Sequence, residues 1–190
     1  MIGIRSNSGN PLTREQQQQN AREIWGYFQA QGWTLEAVSG MLGNIEVESY
    51  INPAQWENNK PFYQGGFGLV QWTPYTNFSN WAGAGWETNY AQQPRRIQYE
   101  LEVDRTAPNT LQWIALGRYN NMSFYEFSQS TWTPSQLAHV FFDCYERGTL
   151  YGDRDANANY WYEYLGGAGP IVGGNIPIWL LFKLKERYNQ

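Results

Sequence analysis

The chain has 190 residues, enough for one domain whose core needs no covalent staple. Its formal net charge is -4, its pI is about 5.0, and no basic run exceeds two residues, which excludes a phosphate-tracking nucleic-acid face. Aromatic residues at 17% against charged residues at 16% exclude a disordered chain.

Residues 1–12 read as a polar lead-in. Thr13, with Gln16 three residues on, has the form of a capping box. Ala21, Ile24, Tyr27 and Phe28 recur at helical spacing, predicting a helix over 14–31 that ends near Gly32. Thr34 caps a second helix with Leu35, Val38, Leu42 and Ile45 as its apolar stripe. It should stop near Ser49, because Asn52-Pro53 disfavours further helix. Residues 54–90 are rich in glycine and aromatics and lack a helical period; they read as loops, with a small hairpin around Gly66–Trp72. A helix follows over 91–105 and a weaker one over 107–121. Ser123 and Thr133-Pro134 mark further helix starts, and Leu137, Ala138, Phe141, Phe142 and Tyr145 form a buried stripe across 134–146. A last helix covers 155–165. Residues 13–165 thus form one domain, followed by a glycine-rich linker at 166–175 and a short apolar-then-basic tail at 176–190.

The fold class that emerges is mainly α (α+β): a helical body with a small irregular or β-hairpin wing after the second helix. Such a junction favours a cleft. Cys144 is the sole cysteine, so there is no intrachain disulfide framework, and no cluster has metal-ligand spacing; neither metal nor cofactor is expected. The N-terminal stretch lacks the apolar region of a signal peptide, and no apolar run approaches the ~18 residues of a membrane-spanning helix.

Three segments can carry chemistry. At the end of the second helix, Glu46 and Glu48 lie roughly 200° apart around the axis, and periodicity does not choose between them. Glu48 falls in the last turn, where the helix dipole disfavours an anion by about 0.3–1 kcal/mol. Surface glutamates are common, and two solvated flank residues would look the same. The second segment is Gly65-Gly66-Phe67-Gly68-Leu69-Val70-Gln71-Trp72-Thr73-Pro74. Its glycines permit close backbone approach, Gln71 can hydrogen-bond a sugar, and Trp72, with Phe67 and Tyr63, can stack on a pyranose face; a glycine turn before a core tryptophan is the plainer alternative. The third is Phe141-Phe142-Asp143-Cys144-Tyr145-Glu146-Arg147, where Asp143, Tyr145 or Glu146 can supply a second site group or simply pair with Arg147 or Arg154. His139 and Cys144, five apart, do not meet on a helix, which argues against a cysteine–histidine pair.

Taken together, Gly40-Met41-Leu42-Gly43-Asn44, Glu48-Ser49 with Asn52-Pro53, and Gly66 through Pro74 resemble the phage tail lysozyme family. The resemblance extends to Tyr145-Glu146-Arg147 and Tyr160-Trp161-Tyr162, spanning about 14–165. It implies a goose-type or transglycosylase-like lysozyme fold and cleavage of the β-1,4 bond between N-acetylmuramic acid and N-acetylglucosamine. It assigns the catalytic general acid to Glu48 rather than Glu46, because Glu48 precedes Ser49 in the Glu-Ser-x-x-Asn-Pro pattern. Gln71 and Glu146 are candidates for a second catalytic or positioning group, and Ser49, Phe67, Gly68, Gln71, Trp72 and Tyr145 for substrate contacts. Peptidoglycan glycan strands are the implied partner, in a virion tail or at the extracellular cell wall, and the 176–190 tail is a candidate contact with other tail proteins. Where relatives often carry a proline after the Glu-Arg pair, this chain has Gly148-Thr149-Leu150. The same residues also suit a lytic transglycosylase, or a glycan-binding or structural tail protein without turnover.

Overall fold

A computed structural model describes residues 11–59, 63–149 and 151–167. The 168–190 portion expected to hold most of the linker and the tail lies outside the described residues, so the docking expectation for that tail does too.

Seven α-helices form among the described residues: α1 (Arg14–Ala30), α2 (Leu35–Ser49), α3 (Thr76–Ala82), α4 (Gln92–Thr106), α5 (Phe124–Gln129), α6 (Pro134–Phe141) and α7 (Arg154–Gly167). Local chemistry sets the starts. Thr13, Ser123 and Thr133 each form a complete capping box, and Thr34 caps α2 by accepting from the Ala37 amide at 3.2 Å. Gly166 and Gly167 end α7 rather than opening a linker.

Helix α2 is the centre of the body. Every residue from Ala37 to Glu46 is buried, so α2 is enclosed on all sides rather than amphipathic. Its glycines let neighbours approach. A Cβ at Gly40 would stand 2.8 Å from Leu137 Cβ on α6, and one at Gly43 would stand 2.5 Å from the Arg154 carbonyl oxygen on α7. The helix ends sharply: Tyr50 and Ile51 both adopt left-handed backbone, with φ 55° and 54°.

The segment after α2 forms the wing. No strand forms there among the described residues; the expected hairpin is instead a tight turn in which Phe67 and Trp72 exchange amide bonds of 3.2 and 3.1 Å. The wing holds its shape through an aromatic cluster. Trp56 and Phe67 rings lie 4.8 Å apart, Phe67 and Trp86 5.0 Å, and Tyr75 stacks on Trp86 at 5.6 Å. Buried polar side chains fasten it to the body. Ser49 Oγ donates to the Leu69 carbonyl at 2.9 Å, and Gln93 accepts from the Leu69 amide at 2.8 Å while donating to the Pro53 carbonyl at 2.6 Å.

Two expected elements differ. Residues 107–121 form no α-helix; only a 3₁₀ turn appears, at Gly117–Tyr119. Pro108 and left-handed Asn109 break the backbone, Asn109 Oδ1 accepts from the Ala115 amide at 2.7 Å, and Trp113 is drawn into the core, stacked on Phe124 at 4.6 Å. The stripe over 134–146 is not one regular helix: α6 passes into a π-helical turn at Phe142–Glu146. No helix among the described residues is long and apolar enough to cross a membrane.

Candidate active site

A cavity of about 810 Å³ opens where the end of α2, the wing and the π turn meet. Its lining includes Glu48 and Tyr50 from α2 and its cap, Gln55, Glu57 and Gln71 from the wing, and Glu146 and Arg147 from the turn.

The two glutamates of α2 separate cleanly. Glu46 points away from the cavity: its carboxylate accepts from Trp161 Nε1 at 2.8 Å and pairs with Arg14 at 2.8 Å. The Arg14 guanidinium also lies 4.7 Å above the Tyr160 ring, so Glu46 fastens α1 and α7 to the central helix. Glu48 lines the cavity and is 24% exposed. It is not an isolated carboxylate at a helix end, as the dipole argument assumed, because Arg154 Nη2 donates to its Oε1. Arg154 is buried; its Nε donates to Asn44 Oδ1 at 2.8 Å, and its guanidinium lies 4.7 Å from the Phe142 ring centroid.

Glu146 faces the same cavity in a different electrostatic setting. Its Oε1 is enclosed and has no hydrogen-bond partner. Burial holds its carboxyl well above the ordinary glutamate range; the nearby Glu48 charge adds to this and Arg154 opposes it. Behind it lies a satisfied buried network. Glu100 accepts from Arg96 Nε at 2.7 Å, from Trp72 Nε1 at 3.1 Å and from the Tyr145 hydroxyl. Burial raises the Glu100 carboxyl and, with the Glu100 charge, pushes the Tyr145 phenol well above its usual value.

Several candidate contacts serve the scaffold. Trp72 is only 3% exposed and stacks on Phe78 at 4.9 Å, so it has no free face for a sugar. Phe67 is buried in the wing cluster. Ser49 and Tyr145 are fully buried and spend their hydroxyls on Leu69 and Glu100. Gly68, at φ 84°, is buried where a Cβ would stand 2.7 Å from Gln93 Oε1. Gln71 lines the cavity, but its amide nitrogen is committed to the Gly68 and Gln55 carbonyls, at 2.8 and 3.1 Å. Asp143 pairs with Arg118 at 3.0 Å and with Tyr119, not with Arg147 or Arg154. His139 stacks on Tyr151 and meets Asp155 at 3.2 Å, while Cys144 is buried, with its thiol pushed up to about 11 chiefly by burial. No group of His, Cys, Asp and Glu suited to a metal occurs among the described residues.

Sequence reasoning missed Tyr50 and the Arg154–Glu48 pair. Tyr50 lines the cavity and is 46% exposed, and its signal was the end of α2 itself. The ion pair joins residues 106 positions apart, beyond any local pattern.

A helical body with an irregular wing beside a cavity suits a lysozyme-like fold, and a family comparison agrees. Residues 19–165 match the model of the phage tail lysozymes. The chain belongs to that phage-associated family. It is also 39% identical over 163 residues to morphogenesis protein 1 of Bacillus phage B103, an alignment covering 83% of this chain and 42% of that relative. The chain therefore spans about two fifths of the relative's length.

Proposed function

We propose that this chain is a muramidase-type glycosidase that cuts the β-1,4 bond between N-acetylmuramic acid and N-acetylglucosamine in peptidoglycan. The observation that carries the reading is a single cavity containing Glu48 and Glu146 in a member of the phage tail lysozyme family. Glycoside hydrolysis needs a proton donor for the leaving oxygen and a second group on the opposite face of the sugar. Glu48 is the donor: it sits at the rim of the helical body, partly exposed, where a glycan strand in the cavity would lie against it. Glu146 is a better second group than Gln71, whose amide already serves the wing backbone. Tyr50 offers the aromatic ring face that buried Trp72 does not. An acidic chain gains no general attraction to an anionic wall, so the grip comes from shape, ring contact and hydrogen bonds. Family membership and a relative named as a morphogenesis protein support a virion location, with the enzyme opening the wall locally.

The test is turbidity loss of purified Gram-positive walls by wild type and Glu48→Gln, with mass analysis of the released fragments. Clearing by wild type alone supports the reading. Fragments lighter by one water than hydrolysis products would make the enzyme a lytic transglycosylase. Equal clearing by Glu48→Gln would remove Glu48 from the mechanism. Wall binding by both proteins without turnover would leave a glycan-binding role.

A further inference from the structure

The resting arrangement of the two cavity glutamates is the reverse of what the first chemical step needs, and that reversal is informative. Glu48 rests in an ion pair with Arg154, whereas a donor must carry a proton. Glu146 rests with Oε1 enclosed and unpartnered, a setting that a neutral carboxyl tolerates and a carboxylate does not. We propose that Glu146 is the base that takes a proton from the attacking water, and that the free enzyme rests in the state a turnover leaves behind, with this proton on Glu146 and Glu48 as the anion. The inference rests on the glycosidase reading above and adds the second catalytic residue and the proton's resting place.

The balance closes. Glu48 gives its proton to the glycosidic oxygen as the bond from that oxygen to the anomeric carbon breaks. The water oxygen bonds to the anomeric carbon, and its proton goes to Glu146. Glu48 is then left as the partner Arg154 holds, and the new proton sits on Glu146, whose Oε1 has no hydrogen-bond partner. The next turnover requires the proton to return to Glu48. The two arrangements are tautomers of one singly protonated pair, so a pH profile reports the pair rather than either residue.

The charged surroundings fit this account from every side. From α2, Glu48 faces Glu146 and disfavours a second anion. From α4, Glu100 acts in the same sense, and Arg154 from α7 and Arg147 at the end of the π turn oppose it. Glu57 closes the cavity on the wing side, and Tyr145, next in the chain, is tied to Glu100. Arg154 donates to Glu48, whereas Glu146 Oε1 has no hydrogen-bond partner.

The experiment uses the full chain with carboxyl-labelled glutamate, followed by carbon NMR across pH, beside wall-clearing assays of Glu146→Gln, Glu146→Asp and Glu146→Ala. The Glu146 signal should stay protonated well above the ordinary glutamate value of ~4.3. Its midpoint should fall in Glu48→Gln, where the like charge is gone. Glu146→Gln should be at least as stable as wild type but lose about a hundredfold or more of clearing activity at neutral pH. Glu146→Asp should recover part of that loss. Azide should restore turnover to Glu146→Ala and appear in the product as a glycosyl azide. A Glu146 that titrates like a surface glutamate, or a Glu146→Gln protein that clears walls at the wild-type rate, overturns the inference and leaves the glycosidase reading standing. Failure of wild type to clear any wall overturns both.

Discussion

Gly43 sits on α2 five residues before Glu48, against the start of α7, and replacing it with alanine sets two effects of opposite sign against each other. Intrinsic helix propensity favours alanine in a helix interior by about 1 kcal/mol. Packing opposes it. The new Cβ would stand 2.5 Å from the Arg154 carbonyl oxygen, 2.9 Å from Ala158 Cβ and 2.9 Å from the Ala158 amide nitrogen. Two of those atoms are backbone and cannot swing aside, so α7 as a whole must retreat. Overpacking in a tight core costs about 1–3 kcal/mol, and a contact this short belongs at the upper end. The expected net loss is therefore about 2 kcal/mol, or roughly 4–8 °C in melting temperature for a chain of this size. Denaturant and thermal unfolding followed by circular dichroism would measure it. Because Arg154 begins α7 and holds Glu48, clearing activity should fall as well. A Gly43→Ala protein as stable as wild type, or more stable by the propensity term, would show that α2 and α7 do not meet at this distance and would refute the reasoning.

Other expectations follow from the same contacts. Glu46→Gln should keep wall-clearing activity and lose no more than about 1 kcal/mol, since its Arg14 partner is 46% exposed and solvent-screened; loss of clearing would reverse the assignment between the two glutamates. Tyr145→Phe removes a hydroxyl donor from buried Glu100 and should cost about 1.5–3 kcal/mol in equilibrium unfolding. Tyr50→Ala should raise KM about two- to tenfold with little change in kcat, as expected for one lost ring contact; an unchanged KM would remove Tyr50 from the substrate site. Stability should also depend on pH through Glu146. Its folded proton affinity is raised, so its contribution is fully present below the unfolded value of ~4.3 and is lost as pH climbs through the higher folded value. Unfolding curves of wild type and Glu146→Gln should therefore diverge as pH rises, with wild type losing ground.

Helix starts were the most legible part of the fold. Thr13, Thr34, Ser123 and Thr133 announce themselves because capping is a contact between residues three apart. Burial of α2 was half legible: its apolar stripe was clear, but its enclosure on all sides depends on Gly40 and Gly43 meeting α6 and α7. The short helix α3 was missed, since seven residues in a glycine-rich segment carry too little periodicity to register. The helix expected at 107–121 does not form: left-handed Asn109 breaks the backbone, and Trp113 is buried in the aromatic core against Phe124. Within the site, Trp72 misled for a related reason. A tryptophan beside glycines suits a sugar platform and a wing core equally well, and only the hydrogen bond to Glu100 and the stack on Phe78 distinguish them. Glu46 and Glu48 could not be told apart by period, because what separates them is Arg14 and Trp161 on one side and Arg154 on the other.

The π turn at Phe142–Glu146 gives this chain a phase shift. An α-helix continued from α6 would keep one angular register through the whole segment. Instead the Arg147 amide reaches back five residues to the Phe142 carbonyl, at 2.6 Å, and the register slips. The helix before the turn keeps the phase its core demands, and the side chains beyond it acquire another. The turn thus behaves as a single inserted residue that separates the requirements of folding from those of the cavity. Were the same residues wound as α-helix instead, everything downstream would be rotated by about 100°. Glu146 would then swing off the cavity, although no residue lining that cavity had been changed.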